Sequence, residues 1–277
     1  MNSINCKGKF LSVDEPLVMG IINATHDSFY EGHLKLNAND ILVLAGNMIA
    51  DGAAILDIGG LSTRPGSQPV SLQEETDRVL PMIESIHAAY PDVVLSIDTY
   101  NSAVAKAAIN GGACIINDIS GGNLDTDMID TVANLGVPYI CMHMQGTPAT
   151  MQQAAVYSNV VQEVLDFFIV KINACNKAGI RDIIIDPGFG FAKTIEHNFQ
   201  LLKHLDVLKI TGKPILAGLS RKSTIYKTLG TTAAEALNGT TVLNTIALMN
   251  GASILRVHDV KEASEAVKLF SACKKAP

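Results

Sequence analysis

The chain has 277 residues, 48% of them hydrophobic and only 5% aromatic, and carries a formal charge of −6. That length suits one large domain or two small ones, and an Ala, Ile, Leu and Val core is the usual filling of parallel strands under helices. Dispersed acidic charge excludes a nucleic-acid binder, the first ten residues lack a secretory apolar region, and Asn47, Asp51 and Asp57 break the oiliest stretch, so no membrane partner is expected.

In chain order, residues 1–15 read as an N-terminal extension capping the domain. Then a short apolar run, a polar loop and a helical pattern recur. The runs are Leu17–Asn23, Ala54–Gly59, Val93–Thr99, Cys114–Ser120, Tyr139–Met144, Ile183–Gly188, Ile215–Ser220 and Ile254–Asp259. Their apolar residues are continuous rather than alternating, which marks strands buried on both faces. Helical periodicity appears at Ile41–Ala50, Thr76–Ala89, Val104–Ile109, Met128–Leu135, Val160–Lys177, Glu235–Asn250 and Val260–Cys273. Ser71 to Glu74 has capping-box form, and Gly52, Gly111, Gly136, Gly179, Gly212 and Gly251 stand where left-handed C-caps are expected. Eight near-equal units without a composition break predict a single (β/α)₈ barrel over residues 1–277, in preference to an open doubly wound sheet. Among the five cysteines there is no C-x-x-C pair; Cys114 and Cys141 begin apolar runs and are expected to be buried thiols, as a reducing cytoplasm would keep them.

Barrel active sites sit at the C-terminal strand ends. Here those ends carry Asn23, Asp57, Asp98, Asn117, Asp118, His143, Asp186, Ser220, Arg221, Lys222, Arg256, His258 and Asp259. Taken singly, each has a structural reading: Asp57 or Asp118 could cap a turn, and His143 could be a satisfied core histidine. A polar ring at every strand end is harder to explain by stability. Asp98, Asn117 and Asp186 offer fixed hydrogen-bond partners to a flat, nitrogen-rich ring, since a carboxylate forms two parallel charge-assisted bonds with an amino group beside a ring N–H. Arg64, Arg221, Lys222, Arg256 and His258 bring positive charge for a phosphate-bearing substrate or an anionic leaving group. Lys222 as a Schiff-base lysine is disfavoured because it comes after the strand exit. The glycine pairs have neither P-loop nor dinucleotide spacing.

Ordered motifs cover residues 16–270. They are Met19 to Phe29, Asp57 to Gly66, Ser96-Ile97-Asp98-Thr99, Ile116 to Gly122, Met142-His143-Met144, Asp186 to Phe191, Ser220 to Ser223 and Arg256 to Asp259. Together they resemble the dihydropteroate synthase family. The resemblance implies that dihydropterin pyrophosphate and p-aminobenzoate are the small-molecule substrates, with Mg²⁺ as cofactor and sulfonamides as inhibitors. It implies pterin contacts from Asp98, Asn117, Met142, Asp186, Gly218, Lys222 and Arg256, with Asp98, Lys222, Arg256 and Asp27 catalytic. Pyrophosphate would be held by Asn23, Arg64, Arg256 and His258, and Mg²⁺ by Asn23. Thr63, Pro65, Phe191 and Ser220 would shape the p-aminobenzoate pocket, with the Gly59–Gly66 loop completing it once Arg64 meets pyrophosphate. A homodimer through the last helices is also implied. His26, Glu31, His33, Leu61 and Ala192 depart from the usual family pattern. Two rivals are a corrinoid-linked methyltransferase domain, which also binds a pterin but holds no pyrophosphate, and a non-catalytic pterin-binding paralogue. The Thr63-Arg64-Pro65 and Ser220-Arg221-Lys222 motifs weigh against the first, and Asn23, Arg64 and His258 together against the second.

Overall fold

The computed structural model describes residues 3–24, 38–61, 70–148, 150–151 and 155–277. The chain opens with an antiparallel hairpin, β1 (Ser3–Cys6) and β2 (Lys9–Ser12). The first half of the repeat is β3 (Leu17–Asn23), α1 (Ala38–Ala50), β4 (Ile55–Gly59), α2 (Leu72–Ala89), β5 (Val94–Asp98), α3 (Ser102–Asn110), β6 (Ile115–Asp118) and α4 (Met128–Leu135). The second half is β7 (Tyr139–Met142), α5 (Val160–Ala178), β8 (Ile183–Asp186), α6 (Ile195–Lys203), a 3₁₀ segment (Leu205–Thr211), β9 (Leu216–Ala217), α7 (Ser223–Leu229), α8 (Leu237–Met249), β10 (Ile254–Val257) and α9 (Val260–Lys275). Strands β3 to β10 pair in parallel in the order β8-β7-β6-β5-β4-β3-β10-β9, and an Ile185–Ile215 bridge joins the two ends. The eight strands therefore close into a barrel with the helices outside, as the continuous apolar runs predict.

Alternation along the strands divides their side chains between two cores. Val18, Ile22, Leu56, Ile58, Leu95 and Ile97 face outward and pack under the helices. Met19, Ile55, Val94, Ile115, Ile140, Ile184, Leu216 and Ile254 face inward and form an apolar layer at the start of the barrel. Ile4 and Cys6 of the hairpin pack against that layer from below. Two residues further along each strand, about 7 Å higher, the inward positions become Ile21, Asp57, Ser96, Asn117, Met142, Asp186, Gly218 and Arg256. The apolar layer is thus a floor, and the polar ring stands directly on it.

Several local expectations need correction. Every barrel strand but β3 is shorter than its apolar run, most of them because the final residues leave the ladder to form the loops of the site. Gly111 is not a left-handed cap: its φ is −79°, and the reversal falls on Gly112 at +123°. A side chain at Gly112 would also strike His87, so only glycine fits there. The Ser71 hydroxyl caps α2 by accepting from the Glu74 amide at 3.2 Å, but the Glu74 carboxylate turns to Arg78 instead of completing the box. A full capping box appears instead at Thr194 and His197 of α6. The thiols of Cys6, Cys114, Cys141 and Cys175 are buried and unbridged. Among the described residues no helix is long and apolar enough to cross a membrane.

Candidate active site

The polar layer is organised around one guanidinium. Arg256 on β10 donates from Nε to Asp57 Oδ2 on β4 at 2.6 Å and from Nη2 to Asp98 Oδ2 on β5 at 2.6 Å. The Asn117 amide on β6 donates to the same Asp57 oxygen at 3.0 Å. Asp57 is wholly buried and its Oδ1 has no partner among the described residues. Burial pushes the Asp98 carboxyl up to about 7; the Arg256 charge opposes this, while Asp57, Glu75 and Asp118 add to it. Asp98 is therefore poised between its two protonation states near neutral pH.

A second pair lies at the ends of β8 and β9. Burial raises the Asp186 carboxyl while the Lys222 ammonium lowers it, and the Gly188 amide donates to Asp186 Oδ1 at 2.7 Å. Burial pushes Lys222 down to about 8, against the pull of Asp186. The Lys222 ammonium donates to the Phe189 carbonyl and lies 4.9 Å from the centre of the Phe191 ring. A Cβ on Gly218 would come within 3.6 Å of Lys222 Nζ and 4.0 Å of Asp186 Oδ2, so the missing side chain leaves the space between those groups open. Met142 closes the wall beside it, packed with Ile119, Met144, Met151 and Ala192, and Phe191 leans on that cluster.

At the rim, Ser220 Oγ accepts from the His258 amide at 3.2 Å and lies 3.0 Å from His258 Nδ1. The expectation of a positive charge at His258 needs correction. Enclosure of its ring, then the neighbouring Arg256 guanidinium, push it down to about 4, although the residue keeps an exposed edge. Without an anion beside it the imidazole is held toward its neutral form, and an anion at the rim would favour the charged one. Nor does Arg221 face the mouth as a free cation. Its Nε and Nη2 form a bidentate pair with Asp259 at 2.8 Å each, and its Nη1 donates to the Ala233 and Ala234 carbonyls. Asn23 ends β3, where its Oδ1 and Asp98 Oδ2 both lie 3.6 Å from the point a Gly59 Cβ would occupy. Asp27, Thr63, Arg64 and Pro65 lie outside the described residues, as do the departures at His26, Glu31 and His33.

Two members of the ring are structural. Asp118 accepts from the Ser120 amide and hydroxyl, the Gly122 amide and the Tyr139 hydroxyl, each at 2.7 Å, and so shapes its own turn. His143 is buried, edge-on to Phe167, and pushed down to about 3 by burial and then by the Lys193 charge. Sequence reasoning passed over three groups: Asp57 as a partner of Arg256; Glu75, a buried α2 carboxylate bound by Thr99 and Asn101 and raised by burial; and the buried Lys193. Asp57 had a signal, since it stands two residues above the floor residue Ile55. The other two lie on a helix and in a loop, where no strand register marks them.

Residues 19–258 match the pterin binding enzyme family. The chain belongs to this family of pterin-binding enzymes. It is 42% identical to the dihydropteroate synthase of Escherichia coli over 268 residues, which is 96% of this chain and 94% of that one. Its fold superposes with a TM-score of 0.95 on the dihydropteroate synthase of Yersinia pestis solved with a sulfonamide drug, at 40% identity over 99% of this chain and 100% of that one. It superposes at 0.90 on the Xanthomonas albilineans enzyme in complex with 7,8-dihydropteroate, at 37% identity over 100% of both chains.

Proposed function

We infer that this pterin-binding enzyme is a dihydropteroate synthase, a transferase of folate synthesis that condenses 6-hydroxymethyl-7,8-dihydropterin pyrophosphate with p-aminobenzoate to give 7,8-dihydropteroate and pyrophosphate. The observation that carries the reading is the layer in which Asp98, Asn117 and Asp186 face Arg256 and Lys222 around the opening left by Gly218. In the reading, Asp186, Asn117 and Asp98 accept from or donate to the pterin edge, Lys222 donates to it, Met142 and Gly218 bound its plane, and Arg256 covers its face. The methylene–oxygen bond breaks with its electron pair departing on pyrophosphate. Asp98 and Asp186 stabilise the positive charge left on the ring and methylene. The p-aminobenzoate nitrogen then forms the new carbon–nitrogen bond and gives up a proton. An arylamine is a weak nucleophile, so the barrier is lowered chiefly at the leaving group.

Asn23, Arg64, Arg256 and His258 are assigned to the pyrophosphate, Asp27 to the first loop's share of catalysis, and Thr63, Pro65, Phe191 and Ser220 to p-aminobenzoate, the pocket sulfonamides would share. The Asn23 carboxamide is a hard oxygen donor at the strand end, and Mg²⁺ binds readily through few protein groups plus phosphates. Asn23 would hold the ion, which supplies charge neutralisation at the departing pyrophosphate. The reading extends to a homodimer through the exposed apolar side chains Val242, Ile246, Met249 and Leu269 of α8 and α9, and to a cytoplasmic setting for the unbridged thiols. Pyrophosphate release on mixing both substrates with the protein and Mg²⁺ tests the reading. Release only when both are present supports it; methyl transfer from methyltetrahydrofolate to a corrinoid, without pyrophosphate release, would replace it with the methyltransferase alternative.

A further inference from the structure

Between β8 and α6 the chain makes a turn whose backbone resists being built from ordinary residues. Gly188, Gly190 and Ala192 all have positive φ, at +71°, +81° and +48°. Ala192 is the informative member, because a left-handed alanine is strained and needs the surrounding structure to hold it. This turn supplies three parts of the site. Its Gly188 amide fixes Asp186, its Phe189 carbonyl receives Lys222, and its Phe191 ring lies beside the Lys222 ammonium.

Lys193 comes directly after the turn, and its side chain runs back under it. Only 4% of the residue is exposed. Its ammonium lies 3.0 Å from the Gly188 carbonyl, 3.1 Å from the Phe191 carbonyl and 3.0 Å from His143 Nδ1, with the His143 carbonyl at 3.4 Å. Burial pushes Lys193 down to about 7, against the pull of Asp186, so the full ammonium is the form held below that pH. It has three protons, and the three nearest acceptors take one each. The His143 ring is neutral near pH 7, so its Nδ1 is free to accept and its own proton sits on Nε2. His143 belongs to the end of β7, and its amide already donates to the Asp186 carbonyl. The lysine thus closes the turn on itself at two carbonyls and pins it to the neighbouring strand. Asn198 on α6 holds the far side by accepting from the Gly190 amide at 2.7 Å.

We propose that Lys193 is a positioning residue for the second substrate: its buried ammonium sets the height and tilt of Phe191, and thereby the affinity for p-aminobenzoate, without touching either substrate. The inference rests on the synthase reading, in which Phe191 borders the p-aminobenzoate pocket. The pterin groups depend on the turn less directly. Asn117 and Asp98 stand on β6 and β5, outside it, and Asp186 is the last residue of β8 and takes only the Gly188 amide from it. Lys222 rests on its Phe189 carbonyl but is carried by the β9–α7 loop, whereas Phe191 is part of the turn. The two substrates should therefore respond unequally when the ammonium is removed.

The test is steady-state kinetics of the full chain with dihydropterin pyrophosphate, p-aminobenzoate and Mg²⁺. Lys193→Met keeps the side chain's length and burial but removes every donor. It should raise the KM for p-aminobenzoate tenfold or more, with the pterin KM within threefold of wild type. His143→Leu removes one of the three acceptors and leaves the lysine in place, so the KM for p-aminobenzoate should rise by a smaller factor, three- to fivefold. If Lys193→Met does not fold, His143→Leu decides alone. A p-aminobenzoate KM within twofold of wild type in the folded variants, or a pterin KM rising in parallel, would overturn the proposal. Wild type run alongside separates the two readings: no pyrophosphate release from wild type refutes the synthase, whereas normal wild-type turnover with insensitive variants refutes only the role of Lys193.

Discussion

Replacing Arg256 by Gln removes two charged bonds at once and leaves Asp57 and Asp98 facing each other without their shared cation. Breaking a buried ion pair by deleting one member costs about 3–5 kcal/mol. The Arg256 and Asp98 side chains keep 18% and 19% exposure, which argues for the lower end of that range for their pair. The cost also depends on pH. Asp98 is raised from its ordinary 3.8 to about 7, so the stability linked to its proton is fully present below 3.8 and lost as pH rises through 7. At pH 8 the native carboxylate is ionised and depends on Arg256; at pH 5.5 it is mostly protonated and has less to lose. The expected loss is about 5 kcal/mol at pH 8, where both bonds are lost, and about 3 kcal/mol at pH 5.5, where the Asp57 bond is the main loss, which for a chain of this size corresponds to roughly 10–20 °C and 6–12 °C in Tm. Calorimetric scans of wild type and Arg256→Gln at the two pH values, at equal ionic strength and without ligand, measure the difference. An equal Tm loss at both would show that Asp98 is ionised throughout and that the shared-cation argument is wrong.

The same geometry sets four further outcomes. Asp98→Asn should weaken pterin binding in calorimetry by at least about 30-fold, the lower bound for losing a charged hydrogen bond in a buried site, while leaving the fold intact. Wild-type pterin binding should release close to one proton at pH 6 and almost none at pH 9, because ring N–H donors stabilise the ionised Asp98; equal heats in buffers of different ionisation enthalpy at pH 6 would contradict this. Gly218→Ala adds a carbon with only ordinary contacts to Lys222 and Asp186, so Tm should stay near wild type while the pterin KM climbs at least fivefold. Turnover should vanish in excess EDTA and return with Mg²⁺; full activity in EDTA would remove the metal from the reading.

What the sequence made legible, and what it hid, divides along physical lines. The continuous apolar runs Val94–Asp98 and Ile183–Asp186 are buried on both faces, as strands of a parallel sheet under helices are, and their recurrence in eight near-equal units made the closed barrel legible. The helices Ile195–Lys203 and Ser223–Leu229 place the polar Asn198 and Thr224 among their few buried positions, so no apolar stripe repeats, unlike the equally short α3 and α4. Arg221 looked like a free cation at the mouth because its partner, Asp259, lies 38 residues away on the next strand end. Lys193 went unmarked, since nothing local announces that its tail folds back under its own loop. Partner choice across strands is a property of the closed barrel, and a linear motif does not carry it.

The register of the strands accounts for why the site stands where it does. Each strand enters the barrel with an apolar residue pointing to the axis, and the pleat returns to the axis every second residue. The polar residues Asp57, Asn117, Asp186 and Arg256 each occupy the next inward position above a floor residue, and Asn23 and Asp98 occupy the one after that. A one-residue slip in any strand would turn its polar group outward beneath a helix and its aliphatic neighbour inward, so the folding of the core and the assembly of the site impose the same register. The charges are then a consequence of packing. Three carboxylates, Asp57, Asp98 and Asp186, face two cations, Arg256 and Lys222, over a dry aliphatic floor. Burial first, and the like charges of Asp57, Glu75 and Asp118 after it, disfavour full ionisation here and hold Asp98 near its titration point. A ligand that brings N–H donors, and then develops positive charge during its reaction, supplies what that arrangement lacks.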